Sequence, residues 1–434
     1  PINHQSFNIP SLLISHWFIP ITCLNLFFEF NHLHEIYLDL RFNHKFQCIE
    51  PVEMHKLRIP PLYTFRCSLS FPFRHFTNKV HYYQPCIDAY MKRLYNTNMS
   101  EFVIKENHKF GCLSINTWVS NDLKEPLEID DSTWLLFSPP FPMFDTWTKW
   151  LGTITAEEFI GNDFFIIATQ PSANIAMLDH ENKALEAKVT QIFYSLLLHG
   201  VARCNEGGFL FSGSNDGQEM RIRSNSSLFS HYKIVHARPK PIDKETITNA
   251  LRVSKRINDI YKTPASHARF KRGFDKYLHG LREPLASDRL HQFVRAIEAI
   301  IKPEIGRTKK QFIHRCQTFL FRSTTISNLL GEIFNLRSNV EHLNDLYEIL
   351  NSYAETDRDK IAFLRAFQSE LIAEYIYLKI IESPDLSDFF KDDDSIKSFW
   401  QRSDHAHFSL WGEPLDIETT ANSRFHYFEN LANH

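Results

Sequence analysis

The sequence predicts an α+β protein in which a strand-rich N-terminal domain precedes an all-helical domain. Short β-branched and aromatic runs dominate the N-terminal part, whereas helical periodicity dominates from Asp243 onward. Hydrophobic residues make up 43% of the 434 residues and charged residues 23%, which is a globular composition and argues against fibrous or long disordered chains. At about 150 residues per domain, this length indicates roughly two or three domains.

The N-terminal domain, residues 1–237, is expected to contain short strands. The runs at residues 62–71, 111–119 and 163–169 are β-branched, aromatic or alternating, and clusters of Pro, Asn, Asp and Gly separate them. One helix is predicted in this domain at residues 181–198, where apolar side chains recur three and four residues apart.

A β-hairpin is predicted near the end of the same domain. Residues 208–212 and 219–223 flank the stretch Gly-Ser-Asn-Asp-Gly, and its Asp-Gly pair accommodates the positive φ angles of a tight turn. The turn chemistry therefore predicts both the two strands and their connection.

A helical domain is predicted at residues 238–402, followed by a packed tail at residues 403–434. It starts with the linker Arg238-Pro239-Lys240-Pro241, and further prolines separate its helices. The predicted helices span residues 244–262, 267–282, 286–302, 308–322, 325–350 and 358–382.

The cellular setting is predicted to be the cytoplasm, with no membrane contact. Seven scattered cysteines without a C-x-x-C pair are typical of a reducing compartment. The most apolar stretch, residues 11–28, is interrupted by polar residues and proline, so we expect a buried strand pair there.

No cofactor or metal is predicted from the motifs. The sequence has no phosphate-binding G-x-x-x-x-G-K-[ST] loop, no G-x-G-x-x-G after a strand and no H-E-x-x-H. The histidine pairs His32/His34 and His405/His407 supply too few ligands for a zinc site.

One predicted helix carries an arginine within its apolar face. At about 100° per residue, Arg337 lies roughly 40° from Ile333, and because an unpaired buried charge is costly it must be paired or face a cavity or interface. His342 points about 140° away from Arg337 on an ideal helix. Either Arg337 pairs with a carboxylate such as Glu298 in a structural role, or Arg337 and His342 meet through a distorted helix start or across two chains.

The run Leu336-Arg337-Ser338-Asn339-Val340-Glu341-His342 resembles the R-x4-6-H motif of HEPN domains. Two earlier segments, residues 293–300 and 311–316, resemble the preceding helices of the Apea-like branch of that family. The three segments match in order and spacing, and the resemblance covers about residues 244–382.

This resemblance implies an all-α HEPN bundle that acts as a metal-independent endoribonuclease on cellular RNA, with tRNA as one candidate substrate. Arg337 and His342 carry over as the catalytic pair, and Ser338, Asn339 and Glu298 as supporting residues. Active members usually have Asn, Asp or His where this chain has Ser338, and Asn339 is the alternative polar group.

The resemblance also implies partners and a biological role. The expected partners are RNA, a second copy of the chain bound through the HEPN domain, and a phage-derived trigger of anti-phage or abortive-infection defence. By analogy, residues 1–237 would sense the trigger or restrain a toxic activity. The alternative is a catalytically inactive HEPN scaffold that binds RNA or a protein partner.

Charge patterning independently favours RNA. Between Arg238 and Arg282 there are twelve Lys and Arg residues against four Asp and Glu, and a solvated charged face is the alternative interpretation. The residues predicted to contact RNA are Arg272, Lys309, Lys310 and Arg315. A third interpretation does not use the family resemblance. In it the helices are structural, and the N-terminal domain binds a ligand or a phage protein.

Overall fold

The computed structural model describes residues 102–143, 145–199, 208–228, 241–344 and 346–422. All described residues lie in one compact unit of the chain. The stretches predicted to be strands at residues 11–28 and 62–71 lie outside the described residues. Within the described part, strands precede a long series of helices, which confirms the α+β class.

Six strands form one antiparallel sheet in the order β2-β3-β4-β1-β5-β6. The strands are β1 (His108–Ile115), β2 (Leu127–Asp130), β3 (Thr133–Leu136), β4 (Phe164–Pro171), β5 (Phe209–Asn215) and β6 (Met220–Ser227). The central strands β1 and β4 are buried on both faces. The sequence of β4 is nearly continuously apolar, as such a position favours, whereas β1 also buries the polar side chains of Lys109 and Ser114. The predicted hairpin is confirmed, because β5 pairs with β6 and Asn215 faces Met220 beside the turn.

Helices cover the two faces of this sheet. They are α1 (Asp145–Leu151), α2 (Thr153–Gly161) and α3 (His180–Leu198). Alternate residues of β1 divide between two apolar clusters, with Phe110 packing among the aromatic residues of α1 and α2, and Leu113 packing toward α3. The prediction of a helix at 181–198 is confirmed, whereas α1 and α2 were not predicted.

Helices make up the elements from Lys244 to Trp411. They are α4 (Lys244–Lys262), α5 (Ala268–Arg282), α6 (Ala286–Ile301), α7 (Thr308–Cys316), α8 (Thr324–Glu341), α9 (Leu346–Ile349), α10 (Glu355–Glu382), α11 (Pro384–Asp388), α12 (Asp393–Trp400) and α13 (Asp404–Trp411). The central helix α6 packs against α5, α8 and α10, so three helices meet around one element. No helix in the described residues has the length and apolar character needed to cross a bilayer.

Two of the predicted helices are too long. The prediction of 308–322 is wrong beyond Cys316, because Phe319 leaves the helix and packs against Trp411 with ring centroids 4.3 Å apart. The prediction of 325–350 is wrong beyond Glu341, because Leu343 adopts a left-handed backbone with φ 57° that ends α8.

One apolar cluster extends from the sheet into the helical region. Helix α3 packs against α4, and both contribute buried side chains to the same cluster. Ile242, fully buried just before α4, pairs with Val119 after β1. The predicted boundary between residues 237 and 238 lies outside the described residues, but the described parts on either side share one core.

Candidate functional site

Arg337 is held between two carboxylates. Its side chain is nine-tenths buried, its Nη2 donates to Glu298 Oε2 at 2.9 Å, and its Nη1 pairs with Glu341 one helical turn later. The structural alternative expected a carboxylate partner of this kind and gave Glu298 as an example. Arg337 Nε and Glu298 Oε1 are buried and have no hydrogen-bond partner within the described part of the chain. Both groups therefore retain unused hydrogen-bonding capacity.

The local sequence explains why Arg337 sits against α6. Ser323 caps the start of α8, where its hydroxyl accepts a hydrogen bond from the Ile326 amide. The apolar stripe of α8 is buried, and Arg337 extends that stripe toward the helix end. On α6, His291, Arg295 and Glu298 follow at spacings of four and three residues, which places them on one side of that helix.

The electrostatic environment of this cluster changes two pKa values. Burial raises the pKa of Glu298, although the positive charges of Arg337 and Arg295 oppose the increase. Burial also lowers the pKa of His291, and the charge of Arg337 lowers it further. His291 Nε2 is buried and has no hydrogen-bond partner among the described residues. His291 thus belongs to the same charged cluster, which no sequence signal indicated.

A cavity of about 580 Å³ opens beside Arg337, between α5, α6, α8 and the start of α7. Cationic side chains dominate its walls, opposed by the carboxylates Glu298 and Glu341. The cationic residues are Arg269, Arg272, Lys276, Arg295 and Arg337. Such convergence of guanidinium and ammonium groups suits an anionic ligand that accepts several hydrogen bonds.

The structure separates the residues of the predicted catalytic site. Arg337 and Glu298 line the cavity, whereas His342, Ser338 and Asn339 do not. His342 is exposed at the C-terminal cap of α8, and its backbone amide donates to the Ser338 carbonyl at 3.2 Å. Ser338 and Asn339 are half-buried one turn before the cap. A single chain therefore presents the arginine and the histidine in different surroundings.

The four predicted RNA contacts also have different surroundings. Arg272 lines the cavity, and Lys309 and Lys310 are exposed on α7. The Arg315 guanidinium instead donates to the carbonyls of Ile301 and Lys302 at 2.6 and 2.7 Å and lies over the Trp400 ring. Arg315 therefore stabilises the C-terminal end of α6 rather than facing the cavity.

Several cavity residues were not among the predicted site residues. Arg269 and Lys276 lie three and four residues from Arg272, so the three cations share one face of α5, and this spacing was a usable signal. Arg295 and Glu341 lie on different helices and pair at 3.4 Å, a proximity that no local pattern encodes.

Of the two histidine pairs, His405/His407 lies in the described part of the chain and His32/His34 lies outside it. His407 is buried, and its Nε2 lies 2.6 Å from the Phe399 carbonyl oxygen, so this ring is engaged in the packing of the helices. Within the described ranges, no three or more His, Cys, Asp or Glu residues are grouped as metal ligands.

Comparison of the chain with protein-family models, with curated proteins and with solved structures finds no significant match. A role for this chain therefore has to be inferred from the chemistry of its own side chains.

Proposed function

We propose that the helical region binds RNA at the basic cavity beside Arg337 and acts as a HEPN-type endoribonuclease without a metal. The observation that carries this proposal is a nine-tenths buried arginine on the wall of a cavity lined by four further cations. A guanidinium binds phosphate oxygens bidentately and stays charged at every physiological pH. Phosphates are the regular anionic groups of an RNA strand, and a basic surface recognises them independently of sequence.

The chemistry needs a proton acceptor, a proton donor and charge stabilisation. A histidine removes the proton of the 2′-hydroxyl, and the resulting oxyanion attacks the adjacent phosphorus. Arg337 stabilises the charge of the phosphorane, and a second histidine protonates the departing 5′-oxygen, which leaves a 2′,3′-cyclic phosphate. Because His342 does not line the cavity of its own chain, we propose that two chains combine their Arg337 and His342 side chains in one cleft.

The second candidate is a non-catalytic HEPN scaffold that binds RNA or a partner. The pairing of the Arg337 guanidinium with both Glu298 and Glu341 favours it, since those carboxylates compete with a substrate phosphate. The exposed position of His342 is equally compatible with a residue that has no catalytic role.

The proposed setting follows from the Apea-like resemblance. The chain would act in the cytoplasm as an anti-phage or abortive-infection effector, cutting cellular RNA such as tRNA after a phage-derived trigger. The region formed by residues 1–237 would sense that trigger or restrain the nuclease. The dimer would form through the helical region.

The test is incubation of the purified protein with total RNA and with tRNA in EDTA, beside the variants Arg337→Ala and His342→Ala. We expect cleavage by the wild type with 2′,3′-cyclic phosphate ends, and a loss of about 100-fold or more in each variant. His342→Ala is the cleaner variant, because His342 is exposed and its removal leaves the core intact. A charge-matched control is Lys149→Ala, on α1 of the sheet layer.

Cleavage that persists in both variants would exclude the proposed catalytic pair. RNA binding without products, also in extract of phage-infected cells that supplies the trigger, would favour the scaffold.

A further inference from the structure

The positive charges on the α5 side of the cavity have no ion-pair partner among the described residues. Arg269 Nε donates to the Ala299 carbonyl at 2.9 Å, which satisfies a hydrogen bond but leaves the charge unpaired. Arg272 and Lys276 make no hydrogen bond or ion pair with any described residue. On the opposite wall, by contrast, Arg295 and Arg337 share the carboxylates Glu298 and Glu341.

Two of the residues that line the cavity, Gly273 and Ala299, have almost no side chain. Gly273 lies between the cations of α5, and a Cβ placed there would meet the Tyr377 hydroxyl at 2.0 Å and the Ala299 Cβ at 2.5 Å. The glycine thus allows α5 to approach α6 and α10 closely.

The start of α7 adds a further feature that suits an anion. Thr308, the first residue of α7, lines the cavity, and no side chain caps this helix start. Unsatisfied backbone amides at a helix N-terminus carry partial positive charge, which supplements the side-chain cations.

We propose that this cavity seats one phosphate group of an RNA strand, held directly by Arg272 and Lys276 and attracted by the charge of Arg269. The inference deepens the proposed function, and it rests on that function for the source of the phosphate. It assigns a role to three residues outside the R-x4-6-H motif. A cavity of this size also admits a single nucleotide, so a free mononucleotide is the other source of the same phosphate chemistry.

The experiment measures binding of a strand that cannot be cut. The probe is a fluorescently labelled 12-nucleotide 2′-O-methyl RNA, whose blocked 2′-oxygen cannot attack phosphorus, and its anisotropy is followed from low to moderate salt. The tested variant is Arg272→Gln with Lys276→Gln, which keeps most of the side-chain length and removes two charges. The matched control is Lys149→Gln with Lys183→Gln, which removes two exposed charges from α1 and α3.

We expect the cavity variant to bind the strand at least about tenfold more weakly at low salt. The slope of log affinity against log salt should become shallower by about 0.7, since the one phosphate contact that is lost contributes about 0.7 on a single strand. The control variant should retain the wild-type slope. Equal slopes for the cavity variant, the control and the wild type would overturn the proposal.

Competition with adenosine monophosphate and inorganic phosphate identifies the source. If millimolar mononucleotide displaces the strand from the wild type but not from the cavity variant, the result supports a phosphate site within the cavity. Mononucleotide binding that depends on Arg272 and Lys276 without strand binding assigns the phosphate site to a free nucleotide. The binding assay uses a strand that cannot be cut, so it tests the phosphate site even if the protein has no nuclease activity. If the protein cleaves RNA but the cavity variant keeps the wild-type salt slope, only the phosphate site is refuted and the proposed nuclease function remains.

Discussion

Arg337 joins α8 to α6 through a short ion pair in which both side chains are close to nine-tenths buried. Arg337→Ala would leave Glu298 buried opposite a void, so we expect a loss of about 3–5 kcal/mol in the free energy of unfolding. The neighbouring Arg295 pairs with Glu341 at 3.4 Å in an exposed position, and Arg295→Ala should cost less than about 1 kcal/mol. Urea denaturation of both variants measures the difference.

Similar small losses for the two arginine variants would contradict a structural role of the Arg337–Glu298 pair. This outcome also matters for the nuclease test, because a strongly destabilised Arg337→Ala chain loses activity by unfolding. The RNA assays therefore belong at a temperature where the variant is folded. Arg337→Lys, which keeps the charge but not the bidentate fork, separates charge from geometry.

The lowered pKa of His291 predicts that the folded chain loses stability in acid. Its pKa in the folded chain is lowered by burial and then by Arg337, while Arg295 also lowers it and Glu341 and Asp288 raise it. As pH falls through the ordinary histidine value of about 6.5, the unfolded chain takes up a proton that the folded chain resists. Stability must therefore decrease as pH falls below that value.

The matching variant is His291→Gln, which cannot take up this proton. We expect the free energy of unfolding of the variant to fall less than that of the wild type between pH 7.5 and pH 5.5. Urea midpoints at three pH values measure both curves. Parallel curves for variant and wild type would show that His291 does not titrate differently in the two states.

At the level of elements, the close contact of α5 with α6 and α10 depends on Gly273. A methyl group at this position meets Tyr377 and Ala299 well inside contact distance, so Gly273→Ala should destabilise the chain by about 2 kcal/mol or more. Gly331 in α8 is the matched control, since a Cβ there finds its nearest neighbour, Ile313, at an ordinary 3.6 Å. Gly331→Ala should instead stabilise the helix by about 0.5–1 kcal/mol.

Thermal and urea unfolding of the two glycine variants measure whether the two substitutions change the free energy of unfolding in opposite directions. Tyr377→Phe in the Gly273→Ala background removes the nearest obstructing atom, and the hydroxyl lost was a donor to the Ala296 carbonyl. The combined cost should therefore be smaller than the sum of the two single costs. If the cost of the double variant equals the sum of the two single costs, α5 shifts away from α10 in the Gly273→Ala variant instead of colliding with it.

The elements that sequence reasoning located are those whose local pattern agrees with their packing. Helix α4 was predicted to its terminal residues, because Asp243 caps it and its apolar residues share one face. Helices α1 and α2 were missed, since each is short and buries few residues. The end of α8 depends on a left-handed residue that is not glycine, Leu343, and no sequence rule predicts that conformation for leucine.

The candidate site, too, could be predicted from the sequence only in part. The burial cost of Arg337 required a partner, and Glu298 was given as one example of a carboxylate that could supply it; the structure pairs the two side chains. The cavity itself combines residues from α5, α6, α7 and α8, and its existence depends on how those helices pack. The helical periodicity of the sequence predicts the face of α5 on which Arg272 lies, but it does not predict which other helices pack beside that face.

On the scale of the whole molecule, the sheet and the helices share one apolar core despite the linker composition that the sequence shows at residues 238–241. Ile242 is fully buried where the chain enters α4, and its amide donates to the Trp118 carbonyl while its own carbonyl accepts from the Ser120 amide. Helices α3 and α4 then pack side by side. Such continuity predicts that the two parts unfold together.

Ile242→Ala tests this cooperativity, because it removes a buried side chain at the point where the parts join. We expect a cost of about 3 kcal/mol, and an equal decrease in the hydrogen-exchange protection of β1 and of α6, measured by mass spectrometry. The control is Ile305→Ala, whose side chain is fully exposed and should leave both elements unchanged. Loss of protection in β1 alone would mean that the helical region is an independent folding unit, and the linker interpretation would then describe the chain better than the shared core does.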